Sequence, residues 1–309
     1  MSATPNPVSR TTESPSPTLG EWVAGARPRT LPAAVVPVAV GAGVAAGTGA
    51  AFGDGVTWWR VVVALAVSLL LQIGVNYAND YSDGIKGTDD ARVGPMRLVA
   101  TGTAAPGAVK RAALLAFGLA ALAGLALAAA TTWWLIAVGV AAIAAAWGYT
   151  GGPRPYGYLG LGELFVFVFF GLVATAGTTY VAIEHVPGVT WLAAIAVGLI
   201  ACALLVVNNL RDIPSDSVAG KRTLAVRIGD TRTRWCYVAL VAGTFLFVVV
   251  SAVERPWALL GLVGIAAALK PVRAVLAGAT GPALVPVLVA TGQVQLVFGA
   301  GLAVGLAIS

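Results

Sequence analysis

The chain has 309 residues, of which 58% are hydrophobic and only 10% are charged, and its formal net charge is +6. Soluble proteins carry roughly 25% charged residues, so this composition, with a mean hydropathy of +0.87, excludes an ordinary soluble domain. The two cysteines, Cys202 and Cys236, fall in or beside apolar stretches and form no spaced set that would indicate a disulfide framework.

Apolar segments follow a short polar tail. Residues 1–20 are rich in Ser, Thr and Pro and lack apolar periodicity, which predicts a disordered tail. Residues 21–309 are expected to form a single transmembrane domain, because a span needs about 20 mainly apolar residues. The apolar segments lie approximately at 31–51, 58–79, 112–130, 133–150, 162–183, 190–209, 235–253, 256–279 and 284–307. The sequence therefore predicts an all-α membrane bundle of about nine transmembrane helices.

The basic residues indicate which side of the membrane each loop faces. If the N-terminus is cytoplasmic and the spans alternate, only Arg60 and Arg255 of the 19 lysines and arginines lie outside. Cytoplasmic loops attract Lys and Arg, so we expect a cytoplasmic N-terminus, cytoplasmic acidic loops and an external C-terminus. Topology then explains the positive charge, and no nucleic-acid partner is expected. Tryptophans typical of an interfacial belt lie at the predicted outer ends, namely Trp58, Trp59, Trp133, Trp134, Trp191 and Trp257.

A polar motif ends the second apolar segment, at the start of a long inner loop predicted over about 80–111. It includes Asn79, Asp80 and Asp83. If the helix continues through the motif, Asn79 and Asp83 share one face, and Asp80 pairs with Asn76 in the same way. Acidic groups at the end of an apolar helix are costly unless they are paired or coordinated. Clustered carboxylate and amide oxygens suit a hard cation such as Mg²⁺.

A second motif ends the sixth segment, before another long inner loop over about 210–234. Asn209, Asp212 and Asp216 occupy positions i, i+3 and i+7 of one helical stripe, although Pro214 disfavours a regular helix at its end. Alternating spans place both motifs on one face of the membrane. Helix caps and solvated loop charges would explain one such motif, whereas two of matching design favour a shared ligand.

Two acidic clusters with neighbouring cations match a diphosphate bound through Mg²⁺. The chain has no GxxxxGK[ST] sequence that would cradle a nucleotide phosphate. An ion-coupled transporter is the alternative from another class, because intramembrane Asp and Asn residues can carry ions. Transporters usually place such groups near the bilayer midplane, whereas here they gather at one face.

With these motifs the sequence resembles the UbiA superfamily of intramembrane prenyltransferases, whose hallmarks are an NDxxD-type motif after the second helix and a DxxxD-type motif after the sixth. The similarity extends from about Glu21 to the C-terminus, and it is closest to the branch that acts on 1,4-dihydroxy-2-naphthoate in menaquinone synthesis. Other acceptors, such as 4-hydroxybenzoate or homogentisate, are alternatives within the same chemistry. The closer similarity is carried by Arg27 to Pro32, Asn79 to Asp89, Gly94 to Arg97, Asn208 to Asp216 and Lys221 to Leu224.

The resemblance implies a bundle around a central cavity, with Mg²⁺ as cofactor and a polyprenyl diphosphate, an aromatic quinone precursor and the lipid bilayer as partners. The implied metal ligands are Asn79, Asp83, Asp89, Asn209, Asp212 and Asp216. Asp89 departs from the usual spacing, because it follows Asp83 by six residues instead of four. The implied catalytic residues are Asp83, Asp212, Asp80 and Asp216. The residues expected to bind or surround the substrates are Lys86, Arg97, Lys221, Arg222, Arg154, Tyr149 and Glu163.

Overall fold

A computed structural model describes residues 17–87 and 97–309, and the regular elements within these ranges are all helical. The helices are α1 (Leu19–Gly25), α2 (Pro32–Ala46), α3 (Trp58–Lys86), α4 (Pro106–Ala130), α5 (Trp134–Gly148), α6 (Gly162–Ile183), α7 (Gly188–Val218), α8 (Leu224–Ile228), α9 (Asp230–Ser251), α10 (Pro256–Leu276) and α11 (Gly281–Ala307). Each predicted apolar segment corresponds to one of these helices. Because α1 begins at Leu19, the last two residues of the predicted tail are helical.

Seven helices of the described ranges are long and apolar enough to cross a membrane, and they confirm the all-α membrane fold: α3, α4, α6, α7, α9, α10 and α11. Helices α1 and α2 are long and apolar enough only when they are taken together, and the pair is bent by 52°. At the break, Arg27 has a left-handed backbone with φ of 54°, and Pro28 starts a short 3-10 turn. Helix α5 is apolar but has only 15 residues. The predicted number of nine spans is therefore approximate.

Helices α3 and α7 extend beyond their predicted ends. Helix α3 continues to Lys86 and α7 to Val218, so the first parts of both predicted inner loops are helical. Helix α7 also continues through Pro214, which has no N–H to donate to the Leu210 carbonyl one turn earlier. Both polar motifs consequently lie on regular helix.

Helix α7 lies at the centre of the bundle, because 67% of its apolar window is buried, against 44% or less in the other spans. Small residues let α6 approach it closely: a Cβ on Gly171 would lie 2.5 Å from the Gly198 Cα. At this contact α6 widens into a π-helical segment, Phe167–Val173. The segment changes the direction of the side chains that follow it on α6.

The end of the bundle opposite the two motifs holds few charges. Arg60 at the start of α3 pairs with Glu184 at 2.7 Å. Arg255, before α10, donates to the carbonyl of Ser309 at 2.9 Å. The six tryptophans predicted to form a belt are 46% to 79% exposed. The arrangement of helix ends agrees with spans that alternate in direction.

Candidate functional site

A cavity of about 400 Å³ lies between α2, α3, α5, α6 and α7. Its apolar wall includes Leu71, Leu135, Val138, Phe165 and Phe169. Its polar end is lined by residues of both motifs, namely Asn79, Asp83, Asn209, Asp212 and Asp216. A second recess of about 250 Å³ shares Leu135, Val138, Val173 and Gly177 with this wall and extends to Trp191. The cavity can therefore hold a ligand with a charged head and a long apolar body.

Asp83 is the residue at which the two motifs meet, and it is 3% exposed. Its Oδ1 accepts a hydrogen bond from the Tyr158 hydroxyl at 2.6 Å and lies 3.5 Å from Lys221 Nζ. Its Oδ2 lies 3.6 Å from the Arg97 guanidinium. The Lys221 ammonium also lies 4.0 Å from Asp216 Oδ1. One buried cation therefore joins an acid of α3 to an acid of α7.

Asn79 and Asn209 form hydrogen bonds with side chains that lie outside the two motifs. The Thr150 hydroxyl donates to Asn79 Oδ1 at 2.7 Å, and Asn209 Nδ2 donates to Glu163 Oε1 at 3.0 Å. Glu163 does not line the cavity but lies behind Asn209, and its Oε2 is buried without a hydrogen-bond partner in the described part of the chain. Because Asn209 uses its amide nitrogen toward Glu163, its carbonyl oxygen remains available to the cavity.

Asp212 is held by its neighbour in the chain. Arg211 contacts both oxygens of Asp212 at 2.7 Å and donates to Asn208 Oδ1 at 2.9 Å. The Arg211 side chain is only 2% exposed. A forked contact of this kind fixes the plane of the carboxylate, so Asp212 has a defined orientation at the cavity.

The structure does not bring Asp80, which we expected to be catalytic, into the cavity wall. Asp80 is fully buried, and its two oxygens accept the backbone N–H groups of Leu98 and Val99 at 2.8 and 3.1 Å. Successive helical residues point about 100° apart. When Asn79 and Asp83 face the cavity, Asp80 therefore points away from it, toward the backbone of Leu98 and Val99.

Three of the expected cations also lie outside the cavity wall. Lys86 is exposed and donates to the Thr150 carbonyl at 2.7 Å, with its ammonium 5.0 Å from the centre of the Tyr158 ring. The side chains of Arg154 and Arg222 are exposed, and the Arg222 N–H donates to the Tyr158 carbonyl at 2.9 Å. Lys86 and Arg222 therefore support the Thr150 and Tyr158 region from outside. Arg97 and Lys221 are the expected cations that line the cavity.

Tyr149, which we expected to bind or surround a substrate, lies in the cavity wall. Asp89 lies outside the described residues. Tyr158 was missed in the sequence. Thr150, Arg211 and Arg27 lie in segments that the sequence singled out, but none of them was given a role at the site; Arg27 lines the cavity at the break between α1 and α2.

The donor set fits Mg²⁺ that is bound together with a diphosphate. Within residues 17–87 and 97–309, no three His, Cys, Asp or Glu side chains form a compact metal cluster. Mg²⁺ is usually held by one or two carboxylates, with substrate phosphates and water completing its shell. Asp83 and Asn79 on α3, and Asp212, Asp216 and Asn209 on α7, offer oxygen donors at the same end of the cavity.

Comparison with known proteins gives consistent matches. The profile of the UbiA prenyltransferase family matches residues 34–283. A 1,4-dihydroxy-2-naphthoate octaprenyltransferase of Mycobacterium tuberculosis is 52% identical over 93% of this chain and 97% of its own length. The Escherichia coli protein of the same name is 38% identical over 73% and 74%.

Solved structures share the fold. A UbiA homolog from Archaeoglobus fulgidus bound to GPP and Mg²⁺ superposes with a TM-score of 0.63 at 14% identity, over 91% of this chain and 99% of that chain. A UbiA homolog from Aeropyrum pernix has a TM-score of 0.67 at 15% identity, over 87% and 96%.

Proposed function

The chain belongs to the UbiA prenyltransferase family, and from that premise we propose that it transfers a polyprenyl group from a polyprenyl diphosphate to 1,4-dihydroxy-2-naphthoate. The products are demethylmenaquinol, diphosphate and CO₂. The observation that carries the proposal is the contact of Lys221 with Asp83 and Asp216, at 3.5 and 4.0 Å, at the polar end of one cavity. The choice of acceptor is supported by the 52% identical relative, which bears the name of that activity.

The polar end of the cavity binds the diphosphate. Arg97 and Lys221 neutralise phosphate oxygens by charge-assisted hydrogen bonds. The oxygen donors of the two motifs would hold Mg²⁺, and the metal would supply further positive charge to the leaving diphosphate. Tyr158 keeps Asp83 oriented through its 2.6 Å hydrogen bond. These fixed charges stabilise the negative charge that develops as the donor ionises.

The apolar wall surrounds the prenyl chain and excludes water from its reactive carbon. The bond between that carbon and the diphosphate oxygen breaks, and the electron pair leaves with the oxygen. Tyr156 and Phe165, whose ring centroids are 3.9 Å apart in a stacked pair, both line this space, and aromatic rings beside it favour an allylic cation. The electron-rich naphthoate ring forms the new carbon–carbon bond. Loss of the ring carboxylate as CO₂ returns an electron pair to the ring.

We also propose that the cavity's polar end faces the cytoplasm, with the N-terminus inside and the C-terminus outside. The support is the distribution of basic residues, because Arg60 and Arg255 are the only lysines or arginines of residues 17–87 and 97–309 at the opposite end of the bundle. An ion-coupled transporter is not favoured, because the acids gather at helix ends beside buried cations and not at mid-span.

The test is a reconstituted assay. The protein in lipid nanodiscs receives Mg²⁺, geranylgeranyl diphosphate and one of three acceptors: 1,4-dihydroxy-2-naphthoate, 4-hydroxybenzoate or homogentisate. With a naphthoate labelled in its carboxyl group, we expect prenylation and release of labelled CO₂, and a fall of about 10²-fold in both signals in the Asp83→Asn variant. Faster prenylation of either benzenoid acceptor would overturn the assignment of the acceptor. If none of the three acceptors is prenylated, the proposed prenyltransferase activity is wrong.

A further inference from the structure

The carboxylate of Asp80 is buried beneath the segment that carries Arg97. Its two oxygens accept the N–H groups of Leu98 and Val99, the residues that directly follow Arg97. Across the described ranges, no cation pairs with this fully buried acid. A buried carboxylate is costly unless its hydrogen bonds are satisfied. The hydrogen bonds of Asp80 therefore hold the backbone at Leu98 and Val99 in place.

Independent packing contacts seat the same segment on α3. Leu98 is fully buried, and a Cβ on Gly25 would lie 2.6 Å from its Cδ1. A Cβ on Gly84, one turn after Asp80, would lie 2.4 Å from Val99 Cγ1. The segment approaches the helix too closely for any larger residue at Gly84, and Asp80 fixes its register along the helix.

The same stretch of α3 also fixes the side chain of Arg97. The guanidinium lies 3.6 Å from Asp83 Oδ2, one turn beyond Asp80, and the Arg97 side chain is 8% exposed. Asp80 therefore holds the backbone next to Arg97, and Asp83 holds its charged end. A long side chain such as that of arginine has many rotamers, so its direction is fixed when both its backbone and its charged end are restrained.

We propose that Asp80 is a positioning residue that places Arg97 at the diphosphate end of the cavity. The inference rests on the proposed function, because it takes Arg97 to contact the substrate diphosphate. The negative charge matters because both partners of Asp80 are donors. An asparagine would present an N–H group to one of these two N–H groups and would lose at least one hydrogen bond.

The experiment is a double-mutant cycle on ligand affinity. Wild type, D80N, R97Q and the double variant are each titrated, in nanodiscs with Mg²⁺, with a non-hydrolysable thio analogue of geranylgeranyl diphosphate. We expect D80N to weaken binding about tenfold, as for the loss of one hydrogen bond to a charged group. In the R97Q background the same substitution should weaken binding less than about twofold, because Arg97 transmits its effect.

Two further variants make the result decisive. G84A displaces Val99 without altering Asp80, so it should also weaken binding in wild type and not in R97Q. R234Q removes an arginine that pairs with Asp230 on α9, and its effect should be independent of D80N.

Hydrogen exchange completes the test. Exchange of the amides at 98 and 99 should rise in D80N whether or not Arg97 is present. Equal losses of affinity from D80N in the wild-type and R97Q backgrounds would overturn the positioning role. Failure of the wild type itself to bind the thio analogue would instead overturn the proposed function.

Discussion

Replacing Asp83 or Asp216 by asparagine removes one carboxylate from the pair that shares Lys221. The ammonium lies 3.5 and 4.0 Å from the two acids, and all three side chains are at most 13% exposed. At an effective dielectric constant of about 20, each attraction is worth about 4–5 kcal/mol before desolvation. If desolvation offsets about half of this, each variant loses about 2–3 kcal/mol. These acids hold Lys221 toward the leaving diphosphate, so we expect the loss to appear in transition-state stabilisation, where it corresponds to a fall of about 10²-fold in kcat/KM.

The double variant tests whether the two acids act as one assembly. Independent effects would multiply to about 10⁴-fold. We expect a loss of no more than about 10³-fold, because the second substitution removes charge from a site that is already disrupted. The assay is prenyl transfer in nanodiscs at several donor concentrations, with a thermal unfolding measurement to confirm that each variant is folded.

Asp230→Asn provides the matched control, because Asp230 pairs with Arg234 at 2.6 Å and does not line the cavity. It should leave turnover near the wild-type value, alone and in combination with Asp83→Asn. Well-folded Asp83 and Asp216 variants whose losses multiply fully, or that retain wild-type turnover, would refute the shared assembly.

Three other outcomes are expected. Prenyl transfer should stop when EDTA strips divalent metal and return with Mg²⁺ or Mn²⁺; full turnover in excess EDTA would contradict the oxygen-donor site. Glu163→Ala should lower kcat/KM by about 10-fold or more, because Asn209 loses its hydrogen-bond acceptor. Glu163→Gln keeps a carbonyl oxygen, so its kcat/KM should fall less. Equal losses in the two variants would mean that Glu163 does not act as this acceptor. In a cysteine-free background, an impermeant thiol reagent on intact cells should label Asp54→Cys and not Ser217→Cys, and the reverse pattern would invert the topology.

The helices could be predicted because the apolar runs are long and the turns between them are polar. The ends of α3 and α7 could not be predicted from composition, because asparagine and aspartate usually favour helix caps and turns over helix interiors. Here Thr150, Glu163 and Lys221 bind those polar groups. Tertiary contacts thus extend both helices into stretches that resemble loops in sequence.

The motifs of the site were visible in the sequence, but several of their partners were not. Tyr158 and Thr150 are separated from Asp83 and Asn79 by 75 and 71 residues, and no local pattern links them. The direction of Asp80 was accessible in principle, since helical residues turn by about 100° per position. The backbone that it meets there depends on how the segment after Arg97 folds back, which periodicity does not encode.

Because α5 is short, we expect entry of the prenyl donor to depend on the thickness of the bilayer. Its 15 residues span about 22 Å at 1.5 Å per residue, against a hydrocarbon core of about 30 Å. Leu135 and Val138 of this helix line the cavity. Trp133 directly precedes the helix and Trp134 is its first residue, and they are 66% and 79% exposed. Hydrophobic mismatch is relieved by local thinning or by flanking residues that reach the interface. Lipids with shorter acyl chains should match α5 better, so the lipid species around this wall should set how readily a membrane-dissolved donor enters it.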